Sequence, residues 1–358
     1  MKAWQLDRLG GSLSFNDVAL PAARPGTVLV RMETSVLMSY MAHYVDGKLS
    51  GYRAPDGPFI PGGNGVGRIH AVGRDVWHLQ PGQRVLLSPH LVAHENVRRP
   101  AQMLIGVTAA GADGARMQAD WPDGTLAEYA LLPASALTPV DNMQQFDPIT
   151  LAMLMRYIVP YGGLLRGRLA AGETVVVSGA TGAYGRAAVL LALAMGAARV
   201  VAIGRRADAL APLARHGQGR VVPLVLTGDG ARDADHLRAA TNGGAELAFD
   251  MVGAASDPGM TLAALRSLLP GGRLVLMGSM SVPLPIPYLE VMLNSWEILG
   301  QFMYPAGAHL RLVELLRSGQ LDMTVLTPLT YALAALPRAI ERAATAANFE
   351  CVVIEHEE

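Results

Sequence analysis

The sequence predicts an α/β protein in two parts, a β-rich domain and a doubly wound parallel sheet with helices on both faces. Three observations carry this. Up to about residue 140, short apolar runs are separated by Gly and Pro turns. From about Pro148 onward, strand-like and helix-like runs alternate regularly, the pattern of a parallel sheet. Within that second part, one strand runs into a turn carrying Gly179, Gly182 and Gly185 and straight on into a helix.

In the first part, residues 28–33, 67–72 and 84–87 read as strands, with Pro61-Gly62-Gly63 and Pro81-Gly82 as turn signals. Residues 89–124 show little periodicity and read as a long excursion between strands. In the second part, strands are expected at 174–178, 199–203, 221–226, 247–250 and 273–277. Helices are expected between and after them at 184–195, 206–215, 232–241 and 258–269. A helix at 307–317, a strand at 324–328, a helix at 336–346 and a strand at 351–354 complete the chain.

A chain of 358 residues is long enough for two domains with real cores. With 51% hydrophobic and 16% charged residues it is globular rather than disordered. The formal net charge of −1 gives no electrostatic reason to expect nucleic acid or an anionic membrane as partner. The mean hydropathy of +0.27 makes a membrane reading worth testing. The uncharged run 187–198 is too short to span a bilayer, and the stretch 274–289 is broken by Pro283, Pro285 and Pro287, so no transmembrane helix is expected. The first residues show no signal-peptide pattern. The single cysteine, Cys351, excludes an intramolecular disulfide and a multi-cysteine zinc site. Its place in an apolar run reads as a buried thiol, and the expected compartment is the cytoplasm.

The glycine turn is the chemical centre of the sequence. Ser178 ends the strand; Gly179, Ala180, Thr181, Gly182, Ala183, Tyr184 and Gly185 form the turn and open the helix. Glycines at this spacing let the backbone approach a pyrophosphate, at which the helix N-terminus points its N–H groups. The second strand ends in Gly204-Arg205-Arg206, with no carboxylate to bond the ribose hydroxyls of NAD. A small residue leaves room there, and guanidiniums form charge-assisted bonds to a 2′-phosphate. The expected cofactor is NADPH. The alternative is that both arginines solvate a helix start, where cations are mildly unfavourable.

Residues 61–67 (PGGNGVG), 71–73 (AVG), 79–85 (LQPGQRV), 169–182 (LAAGETVVVSGATG), 249–253 (FDMVG) and 270–278 (PGGRLVLMG) together resemble the medium-chain dehydrogenase/reductase superfamily over nearly the whole chain. The resemblance implies a GroES-like catalytic domain from residues 1–147 and 305–358 and a Rossmann domain from 148–304. In zinc members of that superfamily a Cys, the His of Gly-His-Glu and a second Cys hold the catalytic metal. Here the corresponding positions carry Met38, Gly63 (within Gly62-Gly63-Asn64) and Met155, and 89–124 lacks the four cysteines of the structural zinc. The pattern is more similar to the zinc-free quinone oxidoreductase and enone reductase branch. His90, His94 and Glu95 lack the metalloprotease order, and no metal is expected.

Without zinc, the minimum catalyst is a nicotinamide held against an acceptor in a dry pocket. Charge that develops on the acceptor oxygen needs a hydrogen-bond donor, and a proton must arrive. The resemblance puts the vacated zinc site beside the nicotinamide, which makes Tyr40, Asn64 and Tyr157 the candidate catalytic residues. Tyr40 stands near the family's proton-relay hydroxyl; its other reading is a packed core tyrosine. Asn64 donates to an enolate oxygen or else serves as a turn residue among glycines. The resemblance also implies cofactor contacts from Asp250 and Val252, from Gly278, Ser279 and Met280, and from Phe302 and Met303. The expected activity is reduction of an activated C=C bond or a quinone of a mildly hydrophobic small molecule. A metal-free carbonyl reductase or alcohol dehydrogenase and a non-catalytic NADPH-binding sensor are the alternatives. The proline-rich apolar stretch 282–293 lies in the region that pairs sheets in the family's dimers, so a homodimer is expected.

Overall fold

The computed structural model describes residues 1–93, 96–253, 255–347 and 349–356. The chain forms two compact units: Met1–Met155 together with Leu326–Glu358, and Arg156–Val325. The helix at the end of the second unit therefore belongs with the parallel sheet, rather than with the catalytic domain to which residues 305–325 were expected to contribute.

The first unit opens with an antiparallel hairpin of β1 (Lys2–Leu6) and β2 (Leu13–Asp17). Then come β3 (Thr27–Val36), α1 (Met41–Val45), β4 (Gly65–Val72) and β5 (Arg84–Leu87). The expected excursion folds into a small antiparallel sheet of β6 (His90–Val92), β7 (Gln102–Leu104) and β8 (Thr108–Ala109), followed by α2 (Gly111–Asp120). Strands of two or three residues are too short to show alternation, and Gly111 and Gly114 weaken the helical signal of α2. β9 (Tyr129–Pro133), β10 (Leu137–Pro139) and α3 (Pro148–Leu154) follow.

The second unit holds α4 (Ile158–Arg166), β11 (Thr174–Ser178), α5 (Ala183–Ala194), β12 (Arg199–Gly204), α6 (Ala207–His216) and β13 (Val221–Val225). It continues through α7 (Gly230–Ala240), β14 (Ala245–Asp250), α8 (Gly259–Arg266) and β15 (Leu268–Leu276). It closes with α9 (Tyr288–Leu293), β16 (Glu297–Gly300) and α10 (Ala308–Arg317). The chain then returns to the first unit with β17 (Thr327–Ala332), α11 (Leu336–Ala344) and β18 (Glu350–Glu355).

The main sheet of the first unit runs β10-β5-β4-β3-β18-β17, with β9 also on β3. β18 lies between β3 and β17, so the end of the described chain completes a sheet begun near its start. α11 presents Leu336, Ala339, Ile340 and Ala343 as one buried stripe at helical spacing.

The sheet of the second unit runs β13-β12-β11-β14-β15-β16, and every neighbouring pair is parallel. Its direction of build reverses between β11 and β14, and ligands bind at such a switch point beyond the carboxyl ends of the strands. Val175, Val176 and Val177 of β11 are fully buried. A strand covered on both faces reads as a continuous apolar run, which is why this strand was legible. Pro223 lies in β13, an edge strand, where its missing N–H costs least. Arg273 of β15 donates to both carboxylate oxygens of Glu173 at 2.8 and 2.7 Å, locking the start of β11 to its neighbours.

By length and composition alone, Pro148–Arg166 is apolar enough to cross a membrane. It is broken into α3 and α4 by a turn, and 72% of its apolar window is buried, as in the core helices of a globular protein.

Candidate functional site

The glycine turn of the second unit is shaped by close backbone packing. Gly179 has φ +68°, and a Cβ there would lie 2.8 Å from the Met251 carbonyl oxygen. At Gly185 a Cβ would lie 2.1 Å from the Gly179 oxygen, so α5 packs on the turn only because this residue has no side chain. Gly182 differs. It is the N-cap of α5, it is exposed, and a Cβ there would meet only the Gly179 oxygen at 3.4 Å. No side chain caps the helix. The first-turn N–H groups and the positive end of the helix dipole thus face an open cradle, a fit for a pyrophosphate. Ala180 N–H donates to the Ile203 oxygen at 3.2 Å and ties the turn to β12.

Beside the cradle, Ser178 pairs with Asp250 in the β11/β14 register. Ser178 is fully buried, and its Oγ has no hydrogen-bond partner among the described residues. Asp250 is also buried and accepts from Thr261 Oγ1 at 2.9 Å. Burial pushes its pKa up to about 6, against the pull of the Thr261 hydroxyl and the Val252 N–H. Met277 and Gly278 N–H groups donate to the Asp250 carbonyl. A Cβ on Gly278 would lie 2.1 Å from the Val252 oxygen, so the loops after β14 and β15 touch. Ser279 is exposed and Met280 half-buried. Phe302 is exposed; Met303 is held at φ +55° with its carbonyl against Gly162, where a Cβ would lie 2.3 Å away. Such strain persists only where the surroundings enforce it.

Gly204 is buried at the end of β12, and Arg205 and Arg206 are exposed. Arg206 is the N-cap of α6, its Nε 3.9 Å from Asp208 Oδ1. Two further cations escaped the sequence reading. Arg186, in the first turn of α5, is held below its ordinary pKa by burial and by the guanidiniums of Arg156 and Arg206. An arginine directly after the third glycine was the available signal for Arg186. Arg156, which is buried, follows Met155 and carried none.

In the first unit, Tyr40 is half-buried at the N-cap of α1, its ring centroid 6.4 Å from that of Tyr52. Tyr52 in turn lies 6.0 Å from Tyr44, whose hydroxyl donates to the Val107 oxygen at 2.7 Å. Burial raises the pKa of Tyr52 and of Tyr44. Tyr52 is an aromatic neighbour of Tyr40 that no periodicity pointed to. Asn64 is engaged with β3: its Oδ1 accepts from Val36 N–H at 3.1 Å, and its Nδ2 donates to the Val36 oxygen at 3.2 Å. That amide braces backbone, the turn-residue alternative of the sequence reading. Tyr157, in the second unit, is the N-cap of α4 and fully buried. Met38 is half-buried, and Met155 is buried. The His90 ring bonds Gln102 Oε1 at 3.1 Å, while His94 and Glu95 lie outside the described residues.

Residues 24–142 match the family described as "Alcohol dehydrogenase GroES-like domain", and residues 183–317 match "Zinc-binding dehydrogenase". The chain belongs to the medium-chain dehydrogenase/reductase superfamily. It is an NAD(P)-dependent oxidoreductase of that superfamily. Among its relatives, an alcohol dehydrogenase of Moraxella sp. (strain TAE123) is 29% identical over 338 residues, 91% of either chain. A sorbitol dehydrogenase of Bacillus subtilis (strain 168) is 25% identical, covering 96% of this chain and 93% of its own. The crystal structure of AibC matches the fold with a TM-score of 0.80 at 22% identity, covering 100% of this chain and 96% of that one.

Zinc is implied by the superfamily, and the residues that the resemblance sets at its ligand positions do not fit it. Met38, Gly63 and Met155 offer no thiolate or imidazole. Nor is Gly63 an open slot: a Cβ there would lie 2.5 Å from Pro89 Cβ and 2.8 Å from the Ile105 carbonyl oxygen. The space into which a histidine side chain would start is filled by a rigid ring and by backbone. Among the described residues, no group of three His, Cys, Asp or Glu side chains could hold a metal elsewhere.

Proposed function

We propose that the protein is a zinc-independent, NADPH-dependent reductase of an activated C=C bond or a quinone in a mildly hydrophobic small molecule. The observation that carries this reading is Gly63, closed in by Pro89 and Ile105, with methionines at the other two metal-ligand positions. A conjugated acceptor takes hydride without a Lewis acid, because its charge is delocalised onto an oxygen that a hydroxyl can serve. When bound, the nicotinamide supplies the hydride. The turn from Gly179 to Gly185 holds the pyrophosphate, and Gly204, Arg205 and Arg206 receive the 2′-phosphate. Tyr40 is the donor to the acceptor oxygen; its half-buried ring supports this, as does the use of the Asn64 amide elsewhere. The single, buried Cys351 suits the cytoplasm.

The test is a panel of enones, quinones, ketones and alcohols followed by NADPH absorbance, with and without a chelator. Chelator-resistant reduction of enones or quinones is expected. Stoichiometric zinc in the purified protein, with activity lost on chelation, overturns the reading. Tyr40→Phe should lower turnover about 10²-fold or more and leave NADPH binding intact; unchanged turnover removes Tyr40 from the role. Carbonyl reduction without metal is the second reading, favoured by the names of the two relatives, an alcohol and a sorbitol dehydrogenase. Turnover of ketones alone would establish it.

The same reading includes a homodimer through the edge of the parallel sheet. β16 is an edge strand, and α9 beside it buries none of its own residues. Tyr288 is 80% exposed, Leu293 70% and Leu289 61%. A contiguous apolar patch of this kind is the usual mark of an interface.

A further inference from the structure

The contacts around Gly204 assign a second role to Thr181. Gly204 has an ordinary, non-left-handed backbone and sits in the β12/β13 ladder, so a side chain there is limited by space alone. That space is bounded on two sides. A Cβ on Gly204 would lie 3.0 Å from Thr181 Cγ2 and 3.4 Å from Leu210 Cδ2. Leu210 is core, fully buried on α6. Thr181 belongs to the glycine turn, which Ala180 N–H pins to Ile203, the residue before Gly204. The Thr181 methyl is therefore held against the position from which a ribose-binding carboxylate would grow. A β-branched side chain has little χ1 freedom with which to yield. Thr181 is half-buried, and its hydroxyl makes no hydrogen bond among the described residues. Its oxygen thus remains available on the turn that precedes the cationic pair Arg205 and Arg206.

We propose that Thr181 determines cofactor specificity: its methyl denies room for a carboxylate at residue 204, and its hydroxyl donates to the 2′-phosphate of the cofactor. This rests on the NADPH reading above. It adds that the choice is written in the glycine turn as well as at the strand end.

The experiment measures dissociation constants of NADPH and NADH by titration for the parent, Thr181→Val, Gly204→Asp, Thr181→Ser and the Thr181→Ser/Gly204→Asp double variant. Thermal unfolding serves as the check that each has folded. Valine keeps the methyl and puts a second one in place of the hydroxyl, so NADPH should weaken about tenfold while NADH is unchanged. Gly204→Asp alone should lose NADPH and gain little NADH, because Thr181 crowds the new carboxylate. Removing the methyl in the double variant should tighten NADH about tenfold or more over Gly204→Asp. Thr181→Ser alone, keeping the hydroxyl, should retain the parent's preference. Equal NADH binding by Gly204→Asp and the double variant overturns the proposal, as does unchanged NADPH binding by Thr181→Val; both outcomes leave the NADPH reading standing. A parent that binds NADH more tightly overturns the cofactor reading and the proposal together.

Discussion

His356 is sealed from solvent, and both of its ring nitrogens are used. Nδ1–H donates to the Ala127 carbonyl at 2.8 Å, which leaves Nε2 to accept from Ser35 Oγ, also at 2.8 Å. Burial lowers its pKa to about 4 from the ordinary 6.5, so the ring is neutral in the fold. A depressed histidine contributes stability that is fully present above pH 6.5 and is lost as pH falls through 4, about 3 kcal/mol in all. In His356→Gln this part of the acid sensitivity should vanish, read as a flatter urea midpoint between pH 6.5 and 4. An unchanged slope would place the sensitivity elsewhere. Gly63 makes a separate prediction. Gly63→His should destabilise by about 1–3 kcal/mol, because Pro89 and the Ile105 backbone must move, and should not bring zinc into the purified protein. A thermally unperturbed Gly63→His that binds zinc would contradict this. At this scale the sequence was only partly readable. Spacing marked Gly179, Gly182 and Gly185, whereas the pairing of the Asn64 amide with Val36 depends on a contact 28 residues away.

The turn between β11 and α5 separates two jobs that its glycines do. Gly185→Ala forces a Cβ to 2.1 Å from the Gly179 oxygen, so the helix must lift from the turn. Gly182→Ala has room within the fold but puts a methyl into the open cradle. The expected outcome is a crossed pair of effects. Gly185→Ala should lower the thermal midpoint markedly, while Gly182→Ala should keep it and weaken cofactor binding. Equal behaviour of the two in melting and titration would show that the cradle is not where the cofactor's phosphates sit. The elements around this turn were legible because each has a strong local signal: β11 as an unbroken run of valines, α5 as an apolar helix opened by glycine. The elements between residues 89 and 124 were not. β8 is two residues long, and pairing with β7 rather than local pattern makes it a strand.

The whole molecule carries opposing responses to acid. Asp250, in the parallel-sheet unit, has its pKa raised to about 6 from 3.8. A raised carboxyl contributes stability below pH 3.8 that is lost as pH rises through 6, again about 3 kcal/mol. Between pH 6.5 and 4, therefore, the unit containing His356 weakens while the unit containing Asp250 strengthens. Hydrogen exchange should show β3 and β18 losing protection on acidification while β11 and β14 gain it; parallel changes in both would refute the opposition. Exposed Leu289 and Leu293 make a prediction about assembly. Sedimentation should give a dimer that Leu289→Glu/Leu293→Glu converts to monomer, and a monomeric parent at all concentrations would remove it. The order of the chain through the two units has a further consequence, for synthesis. The parallel-sheet unit is one continuous segment, Arg156–Val325, and is complete as soon as that segment has been made. The first 155 residues lack β18, the neighbour of β3, until nearly two hundred more have followed. As the chain leaves the ribosome the inserted unit can fold first, while the Thr34–Val36 end of β3, the part that β9 does not cover, waits with its edge unpaired. The interval during which that edge is open is set by the length of the insertion, and it is there that a chaperone would have most to protect.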